Sequence, residues 1–99
     1  MSSPMQYVSF GGSGQNTAVS NATPEVLATD QKCRRVMLKA MPANTGIIYV
    51  GKSSPTLSAS NGWPLSAGEE SPWLEVENVN EVYVLASVDG EDVAYVWDQ

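Results

Sequence analysis

The stretch Asn44-Thr45-Gly46-Ile47-Ile48-Tyr49-Val50-Gly51 constrains the fold most. An asparagine-glycine turn leads into a short continuous apolar run of the kind that lies between two layers, and a glycine closes it. Gly62-Trp63-Pro64-Leu65-Ser66-Ala67-Gly68-Glu69 then supplies a second glycine-led turn toward a strand around Trp73 to Val76. Turn, buried strand, loop and turn again suit a compact all-β module.

The neighbouring segments carry the same signature. Residues 33–41 alternate with period two: Val36, Leu38 and Ala40 form one row, and Arg35, Met37, Lys39 and Met41 the other. One face of this strand is therefore core and the other is basic with methionines. Residues 73–77 alternate in the same way, with Leu74 and Val76 opposite Trp73, Glu75 and Glu77. The short segment Thr23-Pro24-Glu25-Val26-Leu27-Ala28, bounded by Pro24 and by Thr29-Asp30, reads as an edge strand. Asp89-Gly90 tolerates positive φ, which predicts a hairpin between residues 81–89 and 92–98. Both faces of that hairpin are apolar, so the second sheet of a sandwich would cover one face and another subunit the other. The predicted fold is a small β-sandwich, jelly-roll-like or a partly open barrel.

Length and charge narrow the possibilities. With 99 residues the chain is one domain, able to bury roughly 65% of its unfolded surface. Residues 1–21 are rich in Ser, Gly, Gln and Asn, the composition of a flexible N-terminal arm, and residues 22–99 hold the β-sandwich domain. The net charge of −6 opposes nucleic-acid binding, which needs clustered Lys and Arg. The charge is also split: residues 1–52 carry five basic and two acidic groups, a net of +3, and residues 53–99 nine acidic and no basic groups, a net of −9. Such a division suits heterologous contacts between copies. No stretch approaches the roughly 20 apolar residues of a membrane span, and no signal peptide is evident at Met1.

Reactive groups are scarce. The chain has no histidine, and its one cysteine, Cys33, begins an apolar run where a small hydrophobe packs well. Gly12-Ser13-Gly14 lacks phosphate-loop spacing. The acidic pairs at Asp89-Gly90-Glu91-Asp92 and Glu69-Glu70 match no calcium loop, so no metal and no cofactor is expected. A glycoside hydrolase using Glu69 and Glu75 would need a cleft that the fold gives no sign of, and the chain is read as a non-enzyme.

The ordered series Val26-Leu27-Ala28, Arg34-Arg35-Val36, Lys39-Ala40, Asn44-Thr45-Gly46-Ile47-Ile48-Tyr49-Val50-Gly51, Gly62, Leu65-Ser66-Ala67-Gly68-Glu69 and Val82-Tyr83-Val84 resembles small virion proteins of tailed bacteriophages. It covers most of the chain after the arm. The resemblance implies a capsid decoration or cement protein, made in the host cytoplasm and placed on the virion surface. There it would bind across neighbouring major capsid subunits as a homotrimer. In that setting Met5, Tyr7, Val8 and Phe10 are the expected capsid-binding arm. The expected subunit interface comprises Arg35, Met37, Lys39, Glu75, Glu77, Tyr83, Leu85, Tyr95 and Trp97, with Arg35 and Lys39 pairing across subunits with Glu75 or Glu77; for Tyr83, Leu85, Tyr95 and Trp97 the sandwich core is the other expected place. The alternative is a tail-fibre or baseplate component that binds carbohydrate, with Trp63 or Trp73 as a stacking platform.

Overall fold

The computed structural model describes residues 10–52 and 56–99. Eight strands, β1 Phe10–Val19, β2 Glu25–Val26, β3 Arg35–Ala40, β4 Ile48–Gly51, β5 Trp63–Leu65, β6 Leu74–Glu75, β7 Tyr83–Ala86 and β8 Glu91–Asp98, form two four-stranded antiparallel sheets. The first sheet runs β1-β8-β3-β6 and the second β2-β7-β4-β5. Packed face to face, they make a small β-sandwich, as the alternation predicts. Among the described residues no helix is long and apolar enough to cross a membrane.

The core follows from period two. In β3, Val36, Leu38 and Ala40 are buried while Arg35, Met37 and Lys39 are half-buried on the other face. Opposite them in β8 stand Trp97, Tyr95 and Val93, so these three also face inward. The second sheet answers with Ile48, Val50, Val84 and Ala86. In β4 the continuous apolar run is buried only at alternate residues, because Tyr49 stands on the outer face. β2 occupies a sheet edge, as expected from Pro24 and Asp30.

Two expectations are corrected. The glycine-rich stretch in residues 10–19 is a ten-residue strand, not a flexible arm. Its glycines sit opposite the large rings of β8: Gly12 is in register with Trp97 and Gly14 with Tyr95. A Cβ on Gly12 would lie 2.6 Å from the Trp97 ring, and one on Gly14 2.5 Å from the Tyr95 hydroxyl. Glycine here is the space that an aromatic ring fills, and the rings in turn shield a backbone that has no side chains of its own. Met5, Tyr7 and Val8 lie outside the described residues, and the side chain of Phe10 is not described.

The second correction concerns the predicted hairpin. β7 pairs with β2 and β4, whereas β8 pairs with β1 and β3, so the two strands belong to different sheets. Gly90 does adopt positive φ, at +90°. The chain reverses there, but it crosses between layers instead of staying in one sheet. Residues 87–90 can span about 13 Å when extended, enough for sheets about 10 Å apart. Hydrogen bonds hold the start of the crossing: the Ser87 amide donates to the Ile47 carbonyl, and the Ile47 amide donates to Ser87 Oγ, both at 2.8 Å. Val84 and Ala86 of β7 then share the core with Val93 of β8.

Candidate functional site

Three places in the sandwich bring polar or exposed aromatic groups together: the outer face of the first sheet, the outer face of the second, and a cleft where the edges of the two sheets open. The residues expected to form one subunit interface are distributed over all three and the core.

On the first sheet's outer face, register places Arg35, Asp98 and Glu75 in one cross-strand row, Met37 beside Val96, and Lys39 beside Ala94. Arg35 donates from Nε and Nη2 to Asp98 Oδ2 at 3.0 and 2.9 Å. Its guanidinium also lies 5.0 Å from the centre of the Trp73 ring, a cation–π contact. Asp98 is 2% exposed, and its Oδ1 has no hydrogen-bond partner among the described residues. The Arg35 charge is therefore already paired within its own chain, with the side chain 32% exposed. The sequence split into basic and acidic halves does not persist in space, because β3 lies between acidic neighbours β8 and β6.

Tyr83 and Leu85 stand on the second sheet's outer face, level with Tyr49 and Gly51 of β4. Part of this face is covered from within the chain. Leu57, buried in a loop otherwise rich in serine, lies against Gly51, where a Cβ would approach its Cδ1 to 2.6 Å. Leu85 is also buried, so the apolar surface left on this face is mainly Tyr49 and Tyr83. Tyr95 and Trp97 are half-buried and pack inward against the core, one of the two roles expected of them. Glu77 lies beyond β6, exposed, and its amide donates to Glu81 Oε2 at 2.9 Å.

The third place is an apolar cleft of about 410 Å³ at the open edge of the sandwich, where β5 ends the second sheet and β6 the first. Trp63 stands on the β5 side and Trp73 on the β6 side. Val50, Leu74 and Val82 line the space between them, and Lys52, Glu75 and Glu81 add polar groups. Trp63 is 58% exposed, far more than a tryptophan that serves the core. The backbone behind this edge is fixed by Ser71, whose amide donates to the Leu38 carbonyl at 2.7 Å while its Oγ accepts from the Leu38 amide at 2.9 Å. Each tryptophan was recognisable from sequence as a possible platform. Their convergence depends on two sheet edges meeting, which no local spacing encodes.

Two structural carboxylates were missed by sequence reasoning. Glu91 is buried and accepts from the amides of Thr45 and Gly46, while Asn44 Nδ2 donates to the Asp92 carbonyl at 2.8 Å and Asn44 Oδ1 accepts from the Asp92 amide at 3.0 Å. The Asn44-Thr45-Gly46 motif is thus a clamp that fixes the β3–β4 loop to the start of β8. Asp98 is the other, and its only sequence signal was its place at the end of an alternating strand. Cys33 is buried, and its thiol pKa is raised first by burial and then by the negative charges of Asp98 and Glu81. No cluster of three or more potential metal-ligating side chains occurs among the described residues.

No family model, no curated protein and no solved structure matches this chain.

Proposed function

We propose that this protein is a structural component of a tailed-bacteriophage virion that decorates the capsid, binding across neighbouring major capsid subunits as a homotrimer. The observation that carries the proposal is the outer face of the first sheet. Met37, Ala94 and Val96 are half-buried there, in the middle of a sheet whose paired strands hold them in fixed register. The Arg35–Asp98 pair neutralises one end of this strip and Lys39 stands beside Ala94 at the other, so a partner can cover the apolar surface between them without stranding the Arg35 charge. β1 is the edge strand of the same sheet, and the segment carrying Met5, Tyr7 and Val8 leads directly into it. Arm and face would then engage the same neighbour.

The resemblance of the ordered series to phage virion proteins supplies the setting, and mass action supplies the mechanism. A protein that binds only the assembled shell stabilises that state, and many copies add their contacts. The test is quantitative mass spectrometry of purified virions. A ratio of this chain to the major capsid protein near parity is the expected result. A few copies per particle would move the protein to the tail, and its absence from virions would refute the proposal.

A further inference from the structure

We propose that the cleft between Trp63 and Trp73 is a binding site for a neutral saccharide. The proposal is independent of where the protein assembles.

A pyranose ring has an apolar face of C–H groups and a rim of hydroxyls, each able to donate and accept. The cleft offers the complement of both. Two indoles line it, Trp63 from the edge strand β5 of one sheet and Trp73 from the residue just before β6 of the other, and Val50, Leu74 and Val82 make the rest of the lining apolar. At the rim, Lys52 contributes a donor and Glu75 and Glu81 contribute acceptors. Its volume of about 410 Å³ falls within the usual range of small-ligand sites, about 300–1,000 Å³.

Charge decides among ligand classes. With one cation facing two carboxylates, and with Glu69 and Glu70 near Trp63, the cleft repels phosphates, nucleic acid and acidic sugars. A purely apolar ligand would leave Lys52, Glu75 and Glu81 unanswered at its edge. The platform is also prepared in advance. Trp73 is braced by the Arg35 guanidinium, which lines the adjoining hollow and not the cleft, and the Trp63 backbone is fixed by the pairing of β5 with β4. Little freedom of the Trp73 side chain would be lost on binding. Among the described residues, Trp63 at 58% exposure on an edge strand has no packing role that explains its exposure, and a stacking role does.

The test uses the three tryptophans of the full chain as separate reporters in nuclear magnetic resonance. The indole N–H signals would be followed during titration with the methyl glycosides of glucose, mannose, galactose and N-acetylglucosamine, and with their short oligomers. Decaproline serves as a competing peptide probe, because aromatic grooves also accept polyproline helices. The expected result is saturable movement of the Trp63 and Trp73 signals with at least one neutral series, at a Kd of about 1 mM or tighter, while the Trp97 signal stays fixed. Trp63→Ala should weaken binding roughly tenfold or more without changing the thermal midpoint. Trp73→Phe keeps a ring against Arg35 and should weaken binding less than Trp63→Ala. No saturable shift with any saccharide, wild-type affinity in Trp63→Ala, or saturation by decaproline alone would each overturn the proposal.

Discussion

Replacing Gly12 with alanine decides whether the glycine-rich segment is a linker or a built strand, because the two descriptions predict opposite signs. In a flexible linker, Gly→Ala removes conformational freedom from the unfolded chain and stabilises by about 0.4–1 kcal/mol, or does nothing. In the strand, the new Cβ would sit 2.6 Å from Trp97 Cζ2 and 3.0 Å from Cε2, where ordinary contacts are 3.4–4 Å. The indole must retreat by the better part of an ångström, and it stands opposite Val36, which is fully buried. Overpacking of this kind costs about 1–3 kcal/mol, so the net loss should be about 1–2 kcal/mol. For a domain of this size that corresponds to a fall in Tm of roughly 5–15 °C.

Thermal denaturation followed by circular dichroism measures the effect, with Ser13→Ala as a control at an exposed neighbour expected to change little. A double-mutant cycle with Trp97→Leu isolates the cause: the penalty of Gly12→Ala should shrink by more than about 0.5 kcal/mol once the ring is gone. A Gly12→Ala protein as stable as the parent, or an undiminished penalty in the Trp97→Leu background, would refute the reasoning.

Other perturbations test other parts of the sandwich. Arg35→Met should destabilise by about 1–3 kcal/mol, less than a fully buried pair because the Arg35 side chain is 32% exposed, and Asp98→Asn in that background should recover part of the loss in urea denaturation. Glu91→Ala should cost about 1–3 kcal/mol and raise amide hydrogen exchange at Thr45 and Gly46 more than at strand-paired amides. Cys33 has a folded pKa raised above its unfolded value, so its contribution to stability is complete below the ordinary thiol pKa and is lost as pH rises through the higher folded one; in alkaline titrations of stability, Cys33→Ala should lack that component. Met37→Glu combined with Val96→Glu should leave the monomer folded and abolish association with capsids in co-sedimentation, since both side chains lie on the proposed docking face.

The parts of this fold that could be read in advance are those whose information is local. The alternation in β3 named its core row correctly because burial in a strand repeats every second residue, and Gly90 marked a reversal because positive φ is a single-residue property. Pairing is different. Asp89-Gly90 says that the chain turns, but whether β8 returns beside β7 or crosses to the other layer depends on β3 and β1 competing for its edges. β1 was illegible for a related reason. Its glycines look like linker composition until Tyr95 and Trp97, about eighty residues away, are seen to occupy the space above them. The candidate cleft required both kinds of knowledge, since Trp63 and Trp73 converge only after each sheet has acquired its outermost strand.

The crossing of β8 into the first sheet also has a consequence for how the protein is made. β8 is not an edge strand; it lies between β1 and β3, and among the described residues β1 has no other neighbour in its sheet. During synthesis, β1 therefore waits for a partner that the ribosome delivers only once translation has passed Asp98. Until then β1 and one side of β3 present unpaired backbone, the condition under which nascent β-proteins cross-pair with one another. In β1 the wait is made safer by composition, because a strand with glycine at residues 11, 12 and 14 has little side-chain surface with which to capture a wrong partner. Pulse-chase protease protection would register this as a single late step, with resistance over residues 10–40 appearing only after β8 has emerged.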